Sequence, residues 1–429
     1  MIALLLACQT PVTDDGEQHD AGQVDDTGDV ARARWNFLVF MNGDNDLEDY
    51  VVHDLNELEA GVQSADMNVL VQADRTPEYD DSDGDWTSTR RYRITPDADW
   101  DVVRSPVLAE LGELNMGDPE VLADFLAWAA RDYPAEHTAL ILWDHGDGWN
   151  LTGAPTAKRS GWQAGANGNA PPPPGISWDE TDGGFISIAH GELGGALAPM
   201  VAENGKFDLI GFDACNMATW EVAVALAPYA HAMEAAETTV GWEGIQYESA
   251  IHFLAERDDA TGKTLAAQIA ADQVATGLEY TASAIDLESI DDLAAAIDAL
   301  AVAALADPAL NAAVLEARND AGTAEKEWHD YYIDIGSFAK KLGSRAPDHA
   351  NLGADVSTAL SVSVLGAYAN QPYLWTTGLY GMMDANNNMA VNLYHEGEGA
   401  RWAELTHWDE LLLSWTSQPG IGPVETPWL

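Results

Sequence analysis

The sequence predicts an α/β protein with a mainly parallel central sheet covered by helices on both faces. Short, almost wholly apolar runs recur along the chain, and stretches with apolar residues at helical spacing separate them. Continuous apolar strands are typical of parallel sheets whose two faces are both buried. With 429 residues and 47% hydrophobic content, the chain can bury a sizeable core.

The predicted elements alternate from about Trp35 to Asp286. The first unit is an apolar strand at 36–41, a polar turn, and a helix with apolar residues from Leu47 to Leu58, where Asn45 and Glu48 predict a capping box. Further strands are predicted at 67–73, 89–94, 138–144, 207–212, 231–239 and 281–286, and further helices at 119–130, 192–201, 219–227 and 265–276.

Two segments interrupt this alternation. The acidic stretch 77–86 partly suits a calcium loop, but Trp86 stands where an EF-hand would need glycine, so a solvated loop is the better interpretation. The segment 151–177 contains four consecutive prolines and predicts an exposed insertion in the domain 35–286.

The region 287–429 is rich in alanine and is predicted to be mostly helical. Helices are expected at 290–305, 310–318, 331–342, 354–369 and 408–415, with a terminal hairpin formed by 378–383 and 389–394.

The charge balance excludes several classes of function. Lys and Arg number 19 against 71 Asp and Glu, which gives a net charge of −52. Nucleic-acid binding and adsorption to anionic lipid both need a basic surface, so both are disfavoured. The acidic surface suits an exported protein and would attract cationic partners.

The N-terminus predicts export. Residues 1–8 end in Leu-Leu-Ala-Cys, which resembles the lipobox of bacterial lipoproteins, in which a cysteine such as Cys8 is lipidated. Residues 9–34 are polar and acidic and are expected to form a disordered tether. We therefore expect the protein to be lipid-anchored to a bacterial cell envelope or extracellular. The alternative is a chance hydrophobic start, since the run is short and no basic residue precedes it.

Two buried strands end in residues that could carry chemistry. The strand TALILWD leads into His145 and Gly146, and the strand FDLIGF leads into Asp213 and Cys215. Ligands of such sheets bind at the carboxyl ends of the strands, and a thiol nucleophile needs a histidine within reach. A strand-end histidine and a small core cysteine are each ordinary alone, but together they predict a Cys-His pair.

Several segments resemble the clostripain family of cysteine peptidases, within the caspase-like group: WNFLVFMNGDNDLE, LGELNMGDPEVLADFLAWA, YPAEHTALILWDHGDGW and FDLIGFDACNMATWEVA. The resemblance covers about 35–286 well and 287–429 loosely. It implies a caspase-like three-layer sandwich, with Cys215 as nucleophile and His145 as general acid/base. It also implies that the N–H groups of Gly146 and Cys215 stabilise the oxyanion. A helix N-terminus following Cys215 would favour its thiolate.

Asp213 is the candidate for substrate specificity. Residues i and i+2 of a strand face the same way, roughly 6.5 Å apart, so its carboxylate should lie beside the Cys215 sulfur and receive a basic P1 side chain. The resemblance implies the same role, and arginine should be preferred over lysine because its planar fork pairs with both carboxylate oxygens. The alternative is that Asp213 caps the following helix. Asp144 is expected to be a cap or a solvent residue, and 236–239 an exposed edge that pairs with substrate.

The leading hypothesis is an exported cysteine endopeptidase that cleaves after arginine, less well after lysine. It would act as a monomer or as a self-cleaved two-chain form, since Lys158 and Arg159 in the insertion match that specificity. No metal and no other cofactor is expected for catalysis, and whether Ca2+ is required stays open. The alternative is an inactive surface module that binds calcium or cationic partners. No 18-residue apolar run, G-x-S-x-G or H-E-x-x-H occurs.

Overall fold

The computed structural model describes residues 32–64, 66–77, 79–149, 175–277, 281–321, 332–370, 376–382 and 400–416. The strands within them are β1 (Ala33–Gly43), β2 (Met67–Arg75), β3 (Thr89–Arg93), β4 (Val107–Gly112), β5 (Ala135–Trp143), β6 (Leu209–Asp213), β7 (Ala232–Ala235), β8 (Thr281–Asp286), β9 (Tyr332–Asp334), β10 (Val364–Ala369) and β11 (Tyr380–Met382).

The helices, in chain order, alternate with these strands. They are α1 (Glu48–Gly61), α2 (Pro119–Asp132), α3 (Glu192–Asn204), α4 (Trp220–Leu226), α5 (Tyr247–Glu256), α6 (Gly262–Ala275), α7 (Ile290–Ala306), α8 (Pro308–Asp320), α9 (Ile335–Arg345), α10 (Ala350–Ser363), α11 (Arg401–Leu405) and α12 (Trp408–Thr416). A short 3-10 helix, Pro347–His349, precedes α10.

Nine strands form one central sheet in the order β10-β8-β7-β6-β5-β1-β2-β3-β4. The five inner strands, from β7 to β2 in this order, run parallel to one another. The sheet continues on one side with β3 and β4 and on the other side with β8 and β10, and each of these outer strands pairs antiparallel with its neighbour. The predicted α/β fold with a mostly parallel central sheet is therefore confirmed.

Helices cover both faces of this sheet and make it the middle of three layers. Alternate residues of β1 show the division: Phe37 and Val39 pack in one core with α1, α5 and α6, and Leu38 and Phe40 pack in the other with α2 and α3. The second core also includes Ile290 and residues of α12, so side chains from both sides of Asp286 share one hydrophobic cluster. Among the described residues, no helix combines the length and the apolar content needed to cross a membrane.

Several elements differ from the sequence prediction at the start and middle of the chain. β1 begins at Ala33, so the last two residues of the predicted tether 9–34 are already paired strand. Residues 1–31 lie outside the described residues. β4 is short and largely exposed, and α5 follows an irregular loop, so neither was predicted.

The alanine-rich region contains strands where helix was predicted. The predicted helix 354–369 ends at Ser363, and Val364–Ala369 pairs with the otherwise open edge of β8. The first turn of the predicted helix 331–342 is instead strand β9, which pairs with β11. The predicted hairpin partner 389–394 lies outside the described residues. Alanine favours helix only weakly, and an available sheet edge overrides that preference.

The acidic loop 77–86 is docked onto the sheet rather than wholly solvated. Trp86 is buried between the guanidinium groups of Arg75 and Arg90, which lie 4.9 Å and 4.4 Å from its ring centroid. Arg75 also forms a fully buried ion pair with Glu48, whose second oxygen accepts backbone hydrogen bonds from this loop. The predicted capping box is therefore wrong, because Glu48 is used in this pair and α1 has no side-chain cap.

Candidate active site

The parallel pairing of β5 and β6 aligns the two strand ends that carry the candidate residues. Trp143 pairs with Asp213 in the sheet. His145 comes two residues after Trp143, and Cys215 comes two residues after Asp213, so both follow the same level of the sheet. The backbone N–H of Asp144 also donates to the carbonyl of Asp213 at 3.2 Å. The structure therefore brings His145, Asp213 and Cys215 to one rim of the sheet, as the sequence predicts.

Cys215 sits in a sharp turn directly after β6. Asn216 adopts a left-handed conformation with φ +59°, which asparagine tolerates better than most residues, and its N–H donates to the carbonyl of Thr238 at 3.0 Å. The Cys215 sulfur accepts a hydrogen bond from the N–H of Val240 at 3.3 Å. The helix predicted at 219–227 is α4, which begins at Trp220 with Thr219 as its N-cap, five residues beyond Cys215.

His145 is held by an aspartate that the sequence analysis missed. Its Nε2 lies 2.7 Å from Oδ1 of Asp46, which follows β1 at the same rim. Removal from water lowers the pKa of His145, but the hydrogen bond to Asp46 and the charges of Asp144 and Asp46 raise it by more. The pKa is therefore above its usual value. The same hydrogen bond lowers the pKa of Asp46. The imidazole is thus held through Nε2 by Asp46.

Asp144 is neither a helix cap nor a solvent residue, so the expectation for it is wrong. Its carboxylate is buried and accepts hydrogen bonds from the amide groups of Asn42 and Asn45, at 3.2 Å and 2.8 Å, and from the N–H of His145 at 2.5 Å. Burial raises the pKa of Asp144 to about 8, although the charge of His145 and hydrogen bonds from His145, Asn45 and the backbone of Trp178 oppose the shift. These hydrogen bonds fix the backbone at Asp144 and therefore the position of His145.

Gly146 lies against the nucleophile turn. A Cβ atom at this position would lie 2.8 Å from the carbonyl oxygen of Cys215 and 3.0 Å from the Cβ of Ala214. Only glycine therefore fits without displacing Cys215. Gly146 is buried, and within the part of the chain that the structure describes its N–H has no hydrogen-bond acceptor.

Asp213 forms the floor of the site and caps no helix. Its Oδ2 accepts from the N–H of Ile245 and from the hydroxyl of Tyr247, both at 3.0 Å. Gly244, at φ +50°, stands directly over the carboxylate, where a Cβ atom would come 2.5 Å from Oδ1. The missing side chain keeps the carboxylate reachable from the cleft.

A cleft of about 580 Å³ connects these groups. Its lining includes Cys215, His145, Asp213, Asp46, Asp49, Tyr50, Trp143, Trp242 and Gly244. Trp242 is 70% exposed, and its ring centroid lies 6.2 Å from that of Tyr50. The expected exposed edge 236–239 is wrong, because Ala236 to Thr238 are buried and pair with 216–218; the adjoining residues from Val240 onwards line the cleft instead.

The floor of the cleft rests on a group of buried acids. Glu234 is fully buried, and burial together with the charge of Asp213 raises its pKa well above its usual value. Burial and the neighbouring charge of Asp54 raise the pKa of Glu57 to about 8. Acids with pKa values this high hold their protons near neutral pH, so the negative charge that a cation in the cleft would meet is that of Asp213.

Three of the predicted site residues cannot be placed relative to the cleft, because Cys8, Lys158 and Arg159 lie outside the described residues. Asp46, Gly244 and Trp242 belong to the site but were not predicted. Asp46 could have been found, since it follows the central strand β1 at the rim where the other candidates were sought. Gly244 and Trp242 come from a loop whose course the sequence did not indicate.

Comparison with known proteins agrees with this geometry. A family model described as the clostripain family matches residues 39–415. Clostripain of Hathewaya histolytica is 28% identical over 201 residues, which are 44% of this chain and 35% of that protein. The alignment thus spans about a third of the length of this curated relative.

Solved structures share the fold. A secreted C11 cysteine protease from Bacteroides thetaiotaomicron, in complex with an irreversible peptide inhibitor, has a TM-score of 0.60 at 21% identity, with 88% of this chain and 99% of that chain covered. An inactive zymogen C11 protease from Parabacteroides distasonis has a TM-score of 0.60 at 19% identity, with 89% and 99% covered.

Proposed function

This chain belongs to the clostripain family of cysteine proteases, and we propose that it is an endopeptidase that cleaves after arginine and, less well, after lysine. The observation that carries the proposal is a single cleft that contains Cys215, His145 and, at its floor, the carboxylate of Asp213. A nucleophile, a proton carrier and an anionic recognition group thus face one bound peptide.

In the proposed mechanism, the Cys215 thiolate attacks the scissile carbonyl carbon and its sulfur forms a thioester. His145 gives its proton to the departing amine and later takes one from the water that hydrolyses the thioester. The N–H of Gly146, which lies beside Cys215, donates to the oxyanion of the tetrahedral intermediate. Asp46 orients the imidazole and favours its charged form.

The specificity follows from charge and shape at the floor. Asp213, whose carboxylate lines the cleft, pairs with the P1 cation. Trp242 and Tyr50 line the cleft, and a planar guanidinium stacks on an aromatic ring better than an ammonium does. Arginine can also pair with a carboxylate in two parallel hydrogen bonds, so it should be preferred over lysine.

A P1-scanning set of fluorogenic peptides tests the proposal. The protein should hydrolyse arginine peptides fastest, and Cys215→Ala and His145→Ala should each lower kcat/KM at least about a thousandfold. Asp213→Asn should lower kcat/KM for arginine about 30-fold or more, because a buried charge pair loses one partner. Asp49→Asn, at the same cleft but away from its floor, is the matched control.

Two outcomes would contradict the proposal. Hydrolysis that survives Cys215→Ala would remove the nucleophile. An unchanged P1 preference in Asp213→Asn would remove Asp213 from the recognition of substrate. Absence of hydrolysis together with an unreactive Cys215 would favour a non-catalytic binding module.

Self-processing at Lys158-Arg159 is part of this proposal. The pair matches the proposed specificity and lies in the proline-rich insertion between His145 and Cys215. Intact-mass spectra should show two associated chains after incubation of the active protein and a single chain for Cys215→Ala. A wild-type protein that is fully active and uncut would show that cleavage is not needed.

Export is also proposed. The Bacteroides thetaiotaomicron relative is described as secreted, and the sequence around Cys8 resembles a lipobox. Metabolic labelling with a palmitate analogue should modify the wild-type protein and leave Cys8→Ala unlabelled. Equal labelling of both proteins would contradict lipidation at Cys8.

A further inference from the structure

A two-stranded sheet from the region 287–429 contacts both loops that form the active-site rim. In β9, the hydroxyl of Tyr332 donates to the carbonyl of Asp147 at 2.9 Å, in the loop that follows β5. In β11, the N–H of Tyr380 donates to the carbonyl of Ala218 at 2.9 Å, in the turn that follows β6. The two strands are paired and the rings of the two tyrosines stack with their centroids 6.2 Å apart, so one packed unit joins the two loops.

The contact of Tyr332 with the loop after β5 is buried and close. Both Tyr332 and Asp147 are fully buried. The backbone of Gly148 approaches the hydroxyl so closely that a Cβ atom there would lie 2.7 Å from its oxygen. Since both partners of the hydrogen bond are buried, it fixes the position of the peptide group that follows Asp147.

This peptide group is held on both of its sides. Its carbonyl accepts from Tyr332, and its N–H, which belongs to Gly148, donates to the sulfur of Met217 at 3.3 Å. A thioether sulfur is a weak acceptor, so the tyrosine supplies the stronger of the two contacts. The preceding N–H, that of Asp147, donates to the carbonyl of Gly175 at 3.0 Å. The loop therefore leaves the proposed oxyanion donor along a path that Tyr332 helps to fix.

The imidazole of His145 has separate supports. Its ring contacts Asp46, and its backbone N–H donates to Asp144. These supports hold the residue before Gly146, whereas Tyr332 holds the residue after it. Loss of the tyrosine hydroxyl can thus displace the N–H of Gly146 while the partners of the imidazole stay in place.

We propose that Tyr332 is a positioning residue that keeps the N–H of Gly146 directed at the oxyanion. The tyrosine touches no reacting atom, and its role rests on the proposed function. An oxyanion donor lowers the barrier because it is already oriented where negative charge develops, so a small displacement reduces that gain. The region 287–429, for which the sequence predicted only helices and a hairpin, thereby supplies part of the catalytic apparatus.

Tyr332→Phe tests the proposal, since it removes the hydroxyl and keeps the stacked ring. For an arginine peptide, kcat should fall about 10- to 30-fold while KM changes less than about twofold, which is a smaller effect than deletion of an oxyanion donor. The basic limb of the pH-rate profile should not move, because the two aspartates that hold His145 are unchanged. Tyr229→Phe is the matched control. Tyr229 lies at the opposite rim, where its carbonyl accepts the N–H of Phe207 just before β6, and this variant should keep the wild-type kcat.

Two inhibitors separate a displaced donor from a general loosening of the site. A peptide that ends in arginine aldehyde forms a tetrahedral adduct, in which the Cys215 sulfur bonds to the aldehyde carbon and the thiol proton ends on the former carbonyl oxygen. Benzamidine carries only the cation and pairs with Asp213. In Tyr332→Phe, Ki of the aldehyde should rise about tenfold, and Ki of benzamidine should stay unchanged.

Met217→Leu supplies a second variant, because it removes the weaker contact on the other side of the same peptide group. It should weaken binding of the aldehyde selectively, and by less than Tyr332→Phe does. Because both Ki values are measured in the same variant, a general loss of stability does not imitate this result.

Three outcomes would overturn the inference: an unchanged kcat in Tyr332→Phe, an equal rise in both Ki values, or an equal loss of kcat in Tyr229→Phe. A protein that hydrolyses no arginine peptide would contradict the proposed function. An active protein with any of the three outcomes would contradict the role of Tyr332 alone.

Discussion

At the scale of single residues, Asp46 is the group whose role is most open to test. It contacts His145 through Nε2 at 2.7 Å and is itself 42% exposed. It touches no reacting atom in the proposed mechanism, so it acts as a positioning residue. Its carboxylate also raises the pKa of His145, which sets the pH range in which the imidazole carries its proton.

We expect Asp46→Asn to lower kcat for the arginine peptide about tenfold while KM changes little. The pKa of His145 should fall when the carboxylate is lost. Since the charged imidazole protonates the leaving amine, the basic limb of the pH-rate profile should move to lower pH. The measurement is kcat against pH for both proteins.

The control for this experiment is Asp49→Asn, which removes a carboxylate from the same cleft without touching His145. The basic limb of the pH-rate profile of Asp49→Asn should lie at the same pH as that of the wild type. A basic limb that is unmoved in Asp46→Asn, or that moves equally in both variants, would show that Asp46 does not set the protonation of the imidazole.

The candidate residues that the sequence predicts are those that follow buried strands. His145, Asp213 and Cys215 were found because parallel strands end at one rim, and the register of β5 and β6 places them together. Asp144 was misjudged because its donors, Asn42 and Asn45, come from another strand end. No local pattern indicates which distant amide groups surround a carboxylate.

At the scale of elements, the loop 77–86 depends on one buried ion pair. Arg75 and Glu48 are both fully buried, 3.0 Å apart, and Arg75 also binds the carboxylate and carbonyl of Asp80. The guanidinium further lies 4.9 Å from the centroid of the Trp86 ring. One side chain thus connects α1, β2 and the acidic loop.

Arg75→Met should lower the free energy of unfolding by about 3–5 kcal/mol, because the buried carboxylate of Glu48 loses its partner. Urea denaturation measures the change. Arg131→Met, which removes an exposed pair with Asp132, should change the free energy of unfolding by less than about 1 kcal/mol. Equal effects of the two substitutions would contradict the structural importance of the buried pair.

Elements in the first two thirds of the chain were predictable because apolar strands alternate with amphipathic helices. The strand Val364–Ala369 was not, since VLGAYA has no strand pattern of its own and its conformation is decided by pairing with β8. The loop after β7 was missed for a related reason: Gly244 and Trp242 matter only through their position over Asp213, which the tertiary structure sets.

At the scale of the whole molecule, the net charge of −52 and the buried acids both lower the stability of the fold near neutral pH. Burial raises the pKa of Glu57 and of Asp144 to about 8 each, so the folded protein holds protons that the unfolded chain has already released above about pH 4.5. Stability must then fall as pH rises towards 8. Mutual repulsion of the surface carboxylates also lowers stability, and it is already at full strength above about pH 6.

We expect the free energy of unfolding to decrease steadily from pH 6 to pH 8. Glu57→Gln should make this decrease shallower by about 1.4 kcal/mol per pH unit, which corresponds to one proton. Glu256→Gln, which removes an exposed acid at the end of α5, should leave the slope unchanged. A free energy that is constant or rises over this range would contradict the buried-acid account.

The most direct test of the central claim is the alkylation rate of Cys215 by iodoacetamide, with peptide mass spectrometry to separate it from Cys8. A thiolate paired with His145 should react at pH 6.5 at least about tenfold faster in the folded wild type than in urea or in His145→Ala. Equal rates in the three samples, or a Cys215 that reacts only after unfolding, would show that the sulfur and the imidazole do not form a reactive pair at this rim.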